Sequence, residues 1–416
     1  MARKDAKPVL FKRTAPRPKG PACIDLFAGA GGLAVGFREA GWGVLAANDV
    51  DEGASETFRL NFPEASFFEG PIALLTSKAL LKECGLRKGQ LDCLIGGPPC
   101  QSFSYNNHQR SAEDDRARLF RDYLRLVKGL RPKTLVMENV PGILTIGNNA
   151  VIAEISKKLE RLGYDVSIRV LSAEEFGTPQ IRRRVFIVAS RIGAAELMLP
   201  RPSHKPAQGT RRPSQINGGK RAERLGRAKP ITIHQAIGDL PPIRSGGGKL
   251  ASPRIRKPAK TVFQRKVRKG ARQLHNHVCH SLSGVMLKRI EHVPEGGNWR
   301  DIPFRMLPSG MQRAEPQDHT KRYGRLSRKG FASTVLTKCD PHWGAYVHPT
   351  QNRTISVREA ARLQGFPDRF VFAGETLGKH YMQVGNAVPV PVARALGAAA
   401  INHLRNQTKR RRAKVR

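Results

Sequence analysis

Residues 22–32 read Ala22-Cys23-Ile24-Asp25-Leu26-Phe27-Ala28-Gly29-Ala30-Gly31-Gly32, a short apolar run that closes on three glycines. The run has the length of a buried strand, and the turn leads at once into a helix-like segment at 33–40. Working outward, similar apolar runs recur at 43–47, 91–95, 134–137, 166–171 and 184–188, with longer helix-like segments at 115–130 and 150–162. Strands alternating with helices make βαβ units, so the sequence predicts an α/β fold with a doubly wound, mostly parallel sheet. After Ser190 the alternation stops and resumes only near Thr354. There residues 355–366 read as a helix, and another at 392–404 follows Pro389 and Pro391, where proline fixes the first turn. The chain shows no internal repeat.

Its 416 residues carry 73 Lys+Arg against 33 Asp+Glu, a formal charge of +40, and that charge is segregated. Residues 1–20 carry +6, residues 201–330 carry +23 and residues 401–416 carry +7, while 21–200 and 331–400 are nearly neutral. The middle segment mixes its charge with Gly and Pro and with apolar anchors such as Trp299, Phe304 and Met306, which suits a loop-rich basic domain facing nucleic acid. This divides the chain into a basic extension (1–20), a core domain (21–200), the basic insertion (201–330), a return to the core (331–404) and a basic tail (405–416). No apolar run is long enough to span a bilayer, and the first residues lack an apolar leader, so a cytoplasmic protein without a membrane partner is expected. Six cysteines without a Cys-x-x-Cys pair argue against a disulfide framework or a zinc ribbon.

The turn at Gly29, Gly31 and Gly32 lets a backbone approach a nucleoside-bearing ligand closely, yet Ala34 occupies the third glycine position of a dinucleotide fingerprint. Asp49 ends the next strand about twenty residues on, where an acidic side chain accepts from ribose hydroxyls. A sulfonium cofactor needs no phosphate cradle, and S-adenosylmethionine fits this pair of signals. The strand at 91–95 then runs into Gly96-Gly97-Pro98-Pro99-Cys100. A lone cysteine is ordinarily a small buried hydrophobe, but here two prolines present the sulfur rigidly. Glu138 ends the following strand, and in Gln180-Ile181-Arg182-Arg183-Arg184 the alternate arginines project to one side if extended. A carboxylate beside a cysteine suggests covalent catalysis with an acid partner.

In order along the chain stand Asp25 to Gly32, Gly97-Pro98-Pro99-Cys100-Gln101-Ser102-Phe103-Ser104, Glu138-Asn139-Val140, Gln180-x-Arg182-x-Arg184, Arg358 to Pro367 and Gln383-Val384-Gly385-Asn386-Ala387-Val388-Pro389. This set resembles the DNA (cytosine-5)-methyltransferases of bacterial type, over residues 21–200 and about 325–404. The resemblance implies an S-adenosylmethionine-dependent methyltransferase fold. Phe27, Ala28, Gly29, Gly31, Gly32 and Leu33 would hold the cofactor, together with Asp49, Val50, Pro98, Asn386 and Ala387. Cys100 would be the nucleophile, Glu138 would bind the cytosine ring, Arg182 and Arg184 would support the site, and the insertion would be the target-recognition domain. Where the family often has Gly-Asp-Ile, this chain has Gly70-Pro71-Ile72, and proline offers adenine no acceptor.

Cytosine carbon 5 is a poor nucleophile, so the resemblance implies that a thiolate adds at carbon 6 of a base swung out of double-stranded DNA. Residues 101–118, with Tyr105, Asn106, Asn107 and His108, are long enough for a closing lid. The implied protein is a monomer acting at the nucleoid, with a cognate restriction endonuclease as a partner the family context allows. Two rivals stay open: a tRNA cytosine methyltransferase, although its Cys-Phe-Thr element is missing here, and a non-catalytic DNA-binding regulator. His275, His277, Cys279 and His280 are too crowded for a zinc pattern, so no metal is expected.

Overall fold

A computed structural model describes residues 7–99, 119–145, 149–207, 227–253, 255, 257–315, 317–318 and 320–415, the side chains of 409–415 excepted. Its main sheet has eight strands: β1 (Val9–Phe11), β2 (Ala22–Leu26), β3 (Gly43–Asp49), β4 (Ser66–Glu69), β5 (Cys93–Gly96), β6 (Thr134–Asn139), β7 (Asp165–Ser172) and β8 (Arg183–Ser190). They lie in the order β1-β4-β3-β2-β5-β6-β8-β7. The five central strands pair in parallel, and the edges formed by β1, β7 and β8 are antiparallel. This is the α/β, mostly parallel sheet that the run of apolar segments predicts. The edge strand Val9–Phe11 was not read from the sequence, because three apolar residues among arginines and lysines carry no period.

Both faces of the sheet are covered, which is why β2 is buried at every residue rather than at alternate ones. On one face pack α1 (Gly32–Glu39), α2 (Glu52–Asn61) and three C-terminal helices, at Val357–Leu363, Leu377–Asn386 and Val390–Val415; on the other pack α3 (Ser77–Cys84), α4 (Leu119–Leu130) and α5 (Ala150–Arg161). Cys23, Cys93, Val136, Phe186 and Val188 point to the first face, and Ile24, Leu94, Leu135, Val185 and Ile187 to the second, as strand alternation requires. The chain reverses its direction of travel across the sheet between β2 and β5, which pair with Leu26 opposite Gly96. The turns after these two strands therefore emerge side by side at the switch point, where open α/β sheets bind ligands.

The insertion contributes α6 (Ile233–Ile237), the hairpin β9 (Gly248–Pro253) with β10 (Gln273–Val278), α7 (Val262–Arg268), α8 (Gly284–Glu291) and α9 (Ser309–Gln312). The chain then ends with α10 (Val357–Leu363), α11 (Leu377–Asn386) and α12 (Val390–Val415). Ile233, Ile237, Phe263 and Val267 share the first-face core with α10. A separate small core holds Ile290, Val293, Trp299, Ile302, Leu307, Met311, Tyr323 and Val347.

Buried charge welds the insertion to the main domain. Arg362 donates to Asp239, Asp368 and the carbonyl of Ala236, and Arg353 meets Glu359 through two nitrogens at 2.7 and 2.8 Å. His277 lies between Ser356 Oγ at 2.9 Å and the carbonyl oxygen of Pro241 at 2.8 Å. Cys279 points its thiol at the carbonyl of Arg244, and the His280 ring stacks on Tyr381. α12 runs on as helix through the basic residues of the tail, its inner face held close to α1 because Gly36 faces Ala393 without a Cβ.

Candidate active site

The glycine turn is shaped by backbone conformation that most residues resist. Phe27, Gly29 and Gly31 have φ of 55°, 52° and 95°, and a non-glycine residue held there marks a site where the surrounding structure dictates the strain. Asp49 fixes the turn to the end of β3: its Oδ2 accepts the amide of Gly29 at 2.7 Å, and its Oδ1 accepts the amides of Val50 at 2.8 Å and Asp51 at 3.0 Å. Burial pushes the Asp49 carboxyl up, and the Asp51 and Gly29 amides pull it back. A Cβ on Gly29 would meet no atom within 4 Å, so the turn offers its backbone to open space. Gly32 is needed for the opposite reason. A Cβ there would come 2.7 Å from the carbonyl oxygen of Val388 and 3.0 Å from the Ala387 Cβ.

That contact brings Asn386 and Ala387, distant in sequence, against the turn. Asn386 ends α11 with its side chain exposed, while Ala387 is buried. Leu33 packs into the core, so only its backbone faces the turn's ligand side, and Val50 is exposed. Asp25 lies fully buried in the strand that feeds the turn, and neither of its oxygens makes a normal hydrogen bond. Burial drives its carboxyl up to about 8, the neighbouring Asp49 adds to this, and the amide of Ala34 pulls the other way.

The second turn, after β5, is pinned from the next strand. Asn139 Nδ2 donates to the carbonyl of Pro98 at 3.1 Å, and Gly97 lies so near Glu138 that a Cβ there would be 3.0 Å from Oε2. Cys100 and the proposed lid at 101–118 lie outside the described residues. The other five cysteines, Cys23, Cys84, Cys93, Cys279 and Cys339, are free and buried. Burial raises all five thiols, those of Cys84 and Cys93 to about 12.

Glu138 Oε1 meets Arg184 Nε at 2.9 Å, with both side chains largely shielded. Burial pushes the Glu138 carboxyl above its usual range, against the pull of Arg184 and Arg182. Arg182 stands two residues along the same extended stretch. Its Nη1 donates to the carbonyl of Val335 at 2.9 Å and its Nη2 to that of Gly385 at 2.7 Å. It therefore clamps the segment after the insertion to α11. Gln180 adds to the clamp by accepting the amide of Val335 and donating to Leu363.

The structure thus brings together Glu138, Arg182, Arg184, Pro98, the glycine turn, Asp49 and the Asn386 corner. Sequence reading missed Asn139 and Gln180 as supports, although both sit inside the quoted motifs. It gave Asp25 no role. The signal was an acidic residue in a strand otherwise apolar on both faces. Among the described residues no group of His, Cys, Asp and Glu is placed to hold a metal ion.

Comparison with known proteins adds four findings. Residues 22–402 match the family model for C-5 cytosine-specific DNA methylases. The chain is 32% identical to the type II methyltransferase M.AgeI of Thalassovita gelatinovora, over 90% of this chain and 97% of that one. It is also 32% identical to the DNA (cytosine-5)-methyltransferase PliMCI of Paracentrotus lividus, over 93% of this chain but only 29% of that protein's length. A solved structure titled a putative DNA modification methyltransferase encoded within a prophage, from E. coli, superposes with a TM-score of 0.69 at 25% identity. That match covers 93% of this chain and the whole of the other.

Proposed function

The chain belongs to the C-5 cytosine-specific DNA methylase family, and on that premise we propose that it moves a methyl group from S-adenosylmethionine to carbon 5 of cytosine at a specific sequence in double-stranded DNA, through a covalent bond between Cys100 and an extruded base. The observation that carries this reading is the shielded Glu138–Arg184 pair, standing one strand from the Pro98 turn and two from the glycine turn. The cradle fits the cofactor, since Gly29 opens on free space and Gly32 lets Ala387 close in. Phe27, Ala28, Gly31 and the backbone of Leu33 would hold it from below, Asp49 and Val50 at the ribose, Pro98 and Asn386 at the methionine end. S-adenosylmethionine supplies an electrophilic methyl group.

The protein's own residues make the base reactive. The Cys100 thiolate forms a bond to carbon 6, and the ring electrons move towards carbon 5 and the ring nitrogen. Glu138, whose carboxyl burial raises, holds a proton at that nitrogen and offsets the developing charge. Arg184 fixes the carboxyl, and Arg182 fixes the wall behind it. Once carbon 5 is methylated, a water acting as base takes its proton, the C5–C6 double bond re-forms and the C6–S bond breaks to release the thiolate. Because the five described cysteines are buried with raised thiol pKa values, none of them suits the role given to Cys100.

The basic insertion would neutralise phosphates, and the loops around the small core of Ile290 and Val347 would read base edges in the major groove. On this reading the protein acts as a monomer in the cytoplasm, at the nucleoid, and a restriction endonuclease cutting the same site is the partner that the family context allows. The test is transfer of labelled methyl groups to duplex plasmid and to tRNA, by wild type and Cys100→Ser, with bisulfite sequencing of DNA from expressing cells. Transfer to duplex DNA at one sequence, lost in Cys100→Ser, is expected. Transfer to tRNA alone, or no modified cytosine anywhere, overturns the reading.

A further inference from the structure

Between Leu336 and Trp343 the chain leaves the active-site wall and returns, and both ends of this excursion expose apolar side chains. Trp343 is 58% exposed and Leu336 38%. The other two tryptophans, Trp42 and Trp299, are 2% and 6% exposed, so an indole in water is the exception in this chain.

The excursion is held rigidly. Trp343 donates its amide to the Asp340 carbonyl at 3.0 Å, and His342 donates its amide to Asp340 Oδ1 at 2.8 Å. Tyr323 binds the far side, through its amide to the carbonyl of Pro341 and its hydroxyl to His342 Nδ1 at 3.1 Å. Tyr346 clasps the base: its hydroxyl accepts the amide of Leu336 at 3.0 Å, and its ring lies against Gly344, where a Cβ would come within 2.8 Å. One tyrosine ring therefore separates Leu336 from the residue that follows Trp343. Leu336 in turn follows Val335, which Arg182 grips, and its carbonyl lies against Gly385. Trp343 is thus anchored within one loop's breadth of the wall that carries Arg182.

Its surroundings set three cations beside the Asp340 carboxylate, which the His342 amide holds. The Arg322 guanidinium stands 5.9 Å from the Trp343 ring, and Lys321 and Lys338 are exposed nearby in the chain. An indole set among cations matches a ligand that presents flat π-faces between phosphates. Swinging a cytosine out of a duplex creates such a face, because its neighbours lose their stacking partner and a side chain wedged there recovers part of that loss.

We propose that Trp343, backed by Leu336 and flanked by Arg322, Lys321 and Lys338, packs against the exposed bases beside the extruded cytosine. The inference rests on the reading of the chain as acting on duplex DNA and adds the residue that braces the opened stack.

Acrylamide quenching of tryptophan fluorescence tests it, because the exposed component comes from Trp343. Plasmid duplex, confirmed as bound by gel retardation, should shield that component. Heparin, a polyanion without bases, should not. Trp343→Ala should weaken duplex binding roughly ten-fold, the loss of about one base stack, with the thermal midpoint and S-adenosylmethionine affinity unchanged. Trp343→Phe should keep most of the binding. Unchanged quenching in the presence of bound duplex, equal shielding by heparin, or equal affinity of Trp343→Ala and wild type overturns the role of Trp343 while leaving the methyltransferase reading intact. A wild-type protein that binds no duplex overturns both.

Discussion

Arg184 Nε stands 2.9 Å from Glu138 Oε1, yet the burial of the carboxyl outweighs the guanidinium and leaves Glu138 above its usual pKa. A carboxyl in that balance is held in place by an ion pair without being locked in the charged form, which is what proton donation to a ring nitrogen requires. Glu138→Gln keeps the shape and removes the transferable proton. Methyl transfer to duplex DNA should fall by about two to four orders of magnitude, while retardation of the same duplex stays near wild type. Unchanged turnover would remove Glu138 from the mechanism.

Two of the three glycines in the turn after β2 separate packing from the proposed cofactor binding. At Gly32 a methyl group would strike the carbonyl of Val388 at 2.7 Å, so Gly32→Ala should lower stability by about 1–3 kcal/mol as the Asn386 corner is pushed away. At Gly29 a methyl group meets nothing within 4 Å, and the cost is the positive φ of 52°, roughly 1 kcal/mol. Gly29→Ala should therefore lose more S-adenosylmethionine affinity per unit of lost stability than Gly32→Ala. Titration calorimetry and denaturant melts of the two variants supply the comparison.

Asp25 gives the free protein a pH slope. Its carboxyl is pushed from about 3.8 to about 8 by burial, so the folded state holds a proton that the unfolded chain releases. The associated stability is complete below pH 3.8 and is lost as pH rises towards 8, at up to about 1.4 kcal/mol per pH unit. Asp25→Asn cannot ionise. Urea melts at several pH values in that window should show a shallower decline for the variant than for wild type, and parallel slopes would show that Asp25 is not neutral in the native state.

How far the fold was legible follows from the same chemistry. Strands β2, β5 and β6 were readable because burial on both faces demands unbroken apolar runs, and the turns after β2 and β5 were readable because glycine and proline leave a local mark. The clamp formed by Arg182 was not, since its acceptors are backbone carbonyls of Val335 and Gly385, more than 150 residues away. Nor was the burial of Arg353, Arg358 and Arg362. In sequence Arg358 and Arg362 look like the solvated face of α10 and Arg353 like part of the loop before it, and only the fold brings them their buried partners.

Arg362 shows what that pairing is worth. It is fully buried and donates to both oxygens of Asp368, to Asp239 beyond the end of α6 and to the carbonyl of Ala236. Removing the guanidinium would leave the buried Asp368 carboxylate without the arginine that meets both its oxygens, and Asp239 with Arg268 at 3.3 Å, so Arg362→Met should cost about 3–5 kcal/mol, the range found when one partner of a buried pair is lost. The cost comes mainly from the orphaned charges and not from the pair's net attraction. Arg362→Met combined with Asp239→Asn and Asp368→Asn should therefore recover much of the loss, and a thermodynamic cycle over the three positions in urea isolates that coupling. Equal instability of the single and triple variants would mean that packing around Arg362, and not its charge, joins the insertion to the main domain.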